Sequence, residues 1–115
     1  MTEKVSRHAD YVELMLGAAI QARSYVDGIS KEDFLADPKT QDAVIMKLLV
    51  IGELAAQLLD EQATVVGNYP EIPWHQMKGM RNRMAHGYFE LDLDVVWETI
   101  QVAIPDLEVK LHSII

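Results

Sequence analysis

Between residues 6 and 27 the apolar side chains Val12, Leu14, Met15, Ala18, Ala19, Ala22, Tyr25 and Val26 recur at threes and fours among polar ones. That is the spacing of a helix with one buried face, and it predicts a first helix over 6–27 that stops at Gly28. Ser30 followed three residues later by Asp33 reads as a capping box. It opens a short second helix that carries Phe34 and Leu35 and ends near Pro38. From Asp42 to Leu59 the chain is apolar around most of a helical circumference, interrupted by Lys47, Gly52, Glu53 and Gln57. Such a helix has to be covered on most sides, as the centre of a bundle, a subunit interface, or both.

Asn68, Pro70 and Pro73 mark a loop, and Pro73 suits the first turn of a helix running through 74–86. Gly87 stands where a left-handed C-terminal cap is favoured. The last helix begins near Asp92 or Asp94 and repeats Val95, Val96, Ile100, Ala103, Ile104, Leu107 and Leu111. Pro105 inside it predicts a kink, at a cost of about 3 kcal/mol if nothing compensates. No segment alternates for long enough to make a strand. The expected architecture is all-α, an up-and-down bundle of four to five helices in a single domain over 1–115.

Composition narrows the function. A chain of 115 residues, 50% hydrophobic, buries roughly two-thirds of its unfolded surface; one core results with little to spare, and a partner subunit would help. The absence of cysteine removes disulfide scaffolds, thiolate-bound zinc, iron–sulfur clusters and thiol nucleophiles together. Four histidines without paired spacing leave little for a metal, so neither metal nor cofactor is expected. The charged first ten residues do not resemble a signal peptide, and no uncharged apolar run approaches the ~18 residues of a membrane span. A soluble, cytoplasmic protein is the expectation. The net charge of −8 argues against nucleic-acid binding through overall positive charge.

That charge is uneven. No acid lies between Ile72 and Phe89, whereas Lys78, Arg81 and Arg83 fall close together with His75 and His86 on either side. Screening limits distant acids to a Debye length of ~8 Å, so a local patch can hold a phosphate on an anionic protein; a merely solvated helix face is the plain alternative. At about 100° per residue, Met77, Met80 and Met84 form a core stripe, and His75, Asn82 and His86 form another. Asn82 could orient the His86 imidazole across one turn, although a histidine that only complements the helix dipole would explain the same residue. Arg81 and His86 diverge by about 140° of azimuth, so they converge poorly within one chain. A two-fold dimer packing two copies of this helix across a cleft would gather Arg and His from both chains around one phosphate.

Within GMRNRMAHGYF, Arg81, His86 and Tyr88 form R-x4-H-x-Y. In this the chain resembles the HEPN superfamily, and most closely the HepT-like toxins of bacterial and archaeal toxin–antitoxin pairs. VIGELA at Val50 to Ala55, YPEIPW at Tyr69 to Trp74 and VWETI at Val96 to Ile100 follow the family in the same order, so the resemblance covers nearly the full chain. It implies a HEPN-type helical domain over 1–115 that dimerises with the motif lining the cleft. It also implies a metal-independent endoribonuclease toxin of a type VII-like system, with Arg81 and His86 catalytic and the RNA 2′-OH as nucleophile. Asn82 matches the polar position after the family Arg, and Lys78 would support the patch. Tyr88 matches the residue to which the cognate minimal nucleotidyltransferase antitoxin attaches AMP, silencing the toxin. The implied partners are a second copy, that antitoxin and RNA. From other classes come a non-catalytic helical module that binds a nucleotide or docks on a nucleotidyltransferase, and a structural patch forming intersubunit salt bridges with Glu90, Asp92 or Asp94.

Overall fold

A computed structural model describes the backbone of residues 2–115 and the side chains from Asp10 onward; the charged decapeptide at the start, apart from Asp10, lies outside the described side chains. The first predicted helix is α1 (Thr2–Tyr25), which buries Val12, Met15, Leu16, Ala18, Ala19 and Ala22 along one stripe. Leu14 and Tyr25, counted with that stripe on spacing, are exposed at 58% and 39%. At about 100° per residue they project roughly 100° from its centre.

Gly28 turns the chain at φ +78°, a left-handed backbone that glycine adopts without strain. The Ser30–Asp33 capping box forms as expected, with Asp33 N–H donating to Ser30 Oγ at 3.1 Å. It starts α2 (Lys31–Leu35), whose Phe34 is fully buried with its ring 5.4 Å from that of Trp97, while Leu35 is exposed.

Pro38 opens the next helix instead of closing this one. Asp37 caps α3 (Pro38–Glu61), accepting from Thr40 N–H at 3.3 Å, and proline suits a first turn because its missing N–H would have no helical partner there. The predicted start at Asp42 is therefore four residues late. Helix α3 is the centre of the bundle, burying Val44, Ile45, Leu48, Ile51, Leu54, Ala55 and Leu58 against α1 and against α5 (Trp74–His86). Between them lies α4 (Ala63–Asn68), which buries no residue and so leaves no periodic signal.

Pro73 stands just before α5 rather than within its first turn. Met84 is buried and Met77 and Met80 pack partly against the core, as the methionine stripe predicted. Gly87 does not adopt a left-handed conformation: its φ is −132°, and its N–H donates to Arg83 O at 2.7 Å, completing an ordinary helical turn. A 3₁₀ turn, Tyr88–Glu90, follows directly.

The last predicted helix is three joined pieces: α6 (Leu93–Glu98), a π-helical turn (Thr99–Ala103) and α7 (Ile104–His112). Ile104 N–H reaches back five residues to Thr99 O. This wider register places Pro105 in the first turn of α7, where the missing N–H costs little. The kink expected at Pro105 is thus taken up as a π turn just upstream. Two apolar assignments change: Val96 faces the core and leaves Val95 exposed, and the extra residue of the π turn advances the face so that Ile104 is buried and Ala103 is not. Among the described residues there is no strand, and no helix is long and apolar enough to cross a membrane.

Candidate functional site

Gly52 determines how α5 lies on α3. A β-carbon at that position would stand 2.4 Å from Arg81 Cβ and 2.6 Å from the Met77 carbonyl oxygen, so the two helices approach more closely than any side chain permits. The next residue, Glu53, consequently meets Arg81, whose Nη1 donates to Glu53 Oε1 at 2.8 Å. The helices run antiparallel, and ten residues before Gly52 the same face of α3 presents Asp42, which accepts a hydrogen bond from the Tyr88 hydroxyl. Asp42, Met46, Leu49 and Glu53 follow one another at helical spacing on a single stripe. One wall of the site is therefore α3, with Arg81–Glu53 at one end, Tyr88–Asp42 at the other, and Met46, 57% exposed, between them.

The Arg81 guanidinium is held on one side only. Its Nη1 is occupied by Glu53, while Nε is buried and has no partner. Nε and Nη2 form the parallel edge with which arginine grips a carboxylate or phosphate bidentately. A buried donor left unpaired costs about 1–3 kcal/mol.

His86, in the last turn of α5, is exposed and makes no side-chain hydrogen bond among the described residues. Asn82 is likewise exposed, and the amide–imidazole contact between them is not formed. Lys78 and Arg83 are exposed with no ion pair among the described residues, whereas Arg81, the third cation of the stretch, is paired with Glu53. Tyr88 is 45% exposed, its ring edge-on to that of the fully exposed Phe89 at 5.7 Å. Asp42 holds the phenol above its ordinary pKa, first by accepting its hydrogen bond, with burial and the carboxylate charge adding to the shift.

Two features of this site depart from the sequence reading. The acid-free stretch is not acid-free in space, because α3 contributes Asp42 and Glu53, neither of which had been assigned to the site. Two of the three acids named for intersubunit bridges also have partners within the chain: Asp94 pairs with Lys31 at 2.8 Å, and Asp92 caps α6 by accepting from Asp94 N–H at 2.9 Å. Among the described residues, no group of three or more histidines and acids is placed to hold a metal ion.

The family model described as Ribonuclease HepT-like matches residues 15–114. A protein of Thermococcus cleftensis described as a probable ribonuclease HepT is 37% identical over 107 residues, which cover 93% of this chain and 94% of that one. A candidate RNase of Caldanaerobacter subterraneus subsp. tengcongensis is 37% identical over 90 residues, 78% of each chain. Another, from Methanocaldococcus jannaschii, is 31% identical over 91 residues, 79% of this chain and 73% of its own. No solved structure matches the chain.

Proposed function

The chain belongs to the HepT-like family of ribonucleases, and from that membership we propose that it is a metal-independent endoribonuclease, the toxin of a type VII-like toxin–antitoxin pair. The observation that carries the chemistry is the Arg81–Glu53 ion pair, which holds the guanidinium in place through Nη1. The positive charge of Arg81 attracts the non-bridging oxygens of the scissile phosphate and stabilises the charge they gain as the ribose 2′-oxygen attacks. His86 takes the 2′-OH proton or delivers one to the departing 5′-oxygen. Lys78 adds positive charge one turn before Asn82, and the Asn82 amide is exposed toward the same solvent as His86. RNA cleavage that survives EDTA and leaves 2′,3′-cyclic phosphate ends is the expected result on total RNA; cleavage abolished by EDTA overturns the mechanism.

The divergence of Arg81 and His86 along α5 calls for a second copy, whose histidine would complete the acid–base pair. Met46 and Phe89, large apolar side chains exposed beside the site, favour such packing. Sedimentation at micromolar concentration should show a dimer, since an obligate interface commonly buries about 2,000 Å² or more. A species of 13.0 kDa alone would remove the composite site.

Tyr88 is the proposed acceptor of AMP from the cognate minimal nucleotidyltransferase. Attached there, the phosphodiester adds negative charge beside the basic helix and the adenosine occupies the mouth of the cleft. Tyr88→Phe should retain much of the ribonuclease activity yet escape silencing. Intact mass after incubation with the partner and ATP checks this: increments of one or more AMP groups are expected on the parent and none on the variant. Modification at Tyr25 or Tyr69 would relocate the acceptor.

A further inference from the structure

We propose that Asp42 is the base that removes the Tyr88 phenol proton when that oxygen attacks the α-phosphorus of a nucleoside triphosphate presented by the partner enzyme. The proposal rests on the reading of Tyr88 as the AMP acceptor and names the residue of this chain that makes it reactive.

The geometry singles out this phenol. Tyr88 donates its hydroxyl to Asp42 Oδ1 across 46 residues of sequence. Among the described residues no other tyrosine hydroxyl is hydrogen-bonded to a carboxylate: Tyr11, Tyr25 and Tyr69 lack such a partner. Tyr88 belongs to a three-residue 3₁₀ turn that buries none of its own side chains. The Asp42 bond and the edge-on Phe89 ring are the contacts that orient it. Asp42 stands in the second turn of α3, downstream of the Asp37 cap that fixes where the helix begins. Tyr88 is partly exposed, and donating its proton to Asp42 leaves the lone pairs of Oη unused by that bond.

The chemistry requires such a partner. A neutral phenol is a weak nucleophile, and near neutral pH almost none of it is ionised. In the resting state Asp42 strengthens the hold of Tyr88 on its proton. As the bond to phosphorus forms, the oxygen loses its basicity, and the proton passes to a carboxylate that already accepts it, with no rearrangement. The Oη–Pα bond forms and the Pα–O bond to pyrophosphate breaks. Pyrophosphate leaves with that electron pair, and the proton moves from Oη to Asp42 and then to water. Asp42 is the titratable group acting on this phenol among the described residues.

The experiment uses the full chain with the minimal nucleotidyltransferase proposed as its partner, ATP and Mg²⁺, and follows intact mass against time and pH. For Asp42→Asn the rate of AMP attachment should fall by at least about 10²-fold near neutral pH, the lower end of what general-base catalysis supplies. From pH 7 to 9 that residual rate should rise about tenfold per unit as hydroxide replaces the missing base, while the parent rate stays flat. Asp42→Glu should recover part of the loss. If Asp42→Asn is modified on Tyr88 as fast as the parent, Asp42 is not the base. If it is slow but has the flat pH profile of the parent, Asp42 only shapes the docking surface, and the proposal is again overturned. A parent chain that never gains AMP overturns the reading of Tyr88 itself, an outcome distinct from both.

Discussion

Arg81→Ala and His86→Ala should each lower RNA cleavage by about two to four orders of magnitude, the range typical of general acid–base and oxyanion contributions, with the helical fold intact. His86 is exposed and makes no side-chain hydrogen bond among the described residues, so its truncation falls among surface changes worth within about 0.5 kcal/mol of stability. Arg81→Ala breaks one ion pair, but Glu53 is 49% exposed and water replaces the lost partner, so little stability is lost. The activity loss is therefore separable from unfolding, and circular-dichroism melting beside a cleavage time course separates them. Arg81→Lys sharpens the point. It keeps the charge but loses the parallel Nε–Nη2 edge, so it should recover little activity if bidentate contact matters. Glu53→Gln should cost less than either, because it weakens the clamp on Arg81 and leaves the guanidinium itself present. A loss below about tenfold for His86→Ala would assign the proton transfer to another group.

Much of the fold was legible because helices write their burial into the sequence at threes and fours. The α1 stripe, the Ser30–Asp33 cap, the nearly all-round apolar α3 and the methionine stripe of α5 all follow from that period. What was lost follows from local competition. Pro38 reads equally as the end of one helix or the start of another, and the Asp37 cap decides it. Helix α4 buries nothing and so has no apolar period. Pro105 forecasts a disturbance, but it is taken up by a π turn just upstream, where Ile104 N–H bonds to Thr99 O. Gly87 fits a left-handed cap by position alone, and the continuing 3₁₀ turn removes the need for one.

The site was legible along one helix and invisible across two. Arg81, Asn82 and His86 announce themselves because cations, an amide and an imidazole cluster on one stretch of α5 that lacks acids. Glu53 and Asp42 lie 28 and 46 residues away from their partners, and no periodicity connects them. Their shared stripe on α3 was available as a signal: they are the two carboxylates, eleven residues apart, of the largely apolar stretch from Asp42 to Leu59. That pattern shows that the two acids face one way, but only the antiparallel packing of α3 and α5 shows that they face Arg81 and Tyr88. The residue that sets this packing, Gly52, carries no chemistry of its own.

Gly52→Ala should therefore destabilise the protein even though the same change in most helices stabilises it. In a helix interior, alanine is favoured over glycine by about 1 kcal/mol. Here the added methyl would meet Arg81 Cβ at 2.4 Å and the Met77 carbonyl oxygen at 2.6 Å, atoms of the backbone or fixed to it that cannot rotate away. The helices must part, and overpacking of this kind costs about 1–3 kcal/mol or more, enough to cancel the propensity gain and reverse its sign. The melting temperature should fall by several degrees, at about 4 °C per kcal/mol for a domain near this size. Cleavage should fall further than stability does, because moving the Arg81 backbone misplaces its guanidinium, and a displacement near 1 Å costs about 10²-fold. Gly17→Ala supplies the control. No atom lies within 4 Å of a β-carbon there, so it should raise the melting temperature by the ordinary propensity gain and leave cleavage unchanged. If Gly52→Ala instead melts as high as Gly17→Ala and cleaves RNA at the parental rate, then α5 does not approach α3 this closely, and the pairing of Arg81 with Glu53 is not what holds the guanidinium in place.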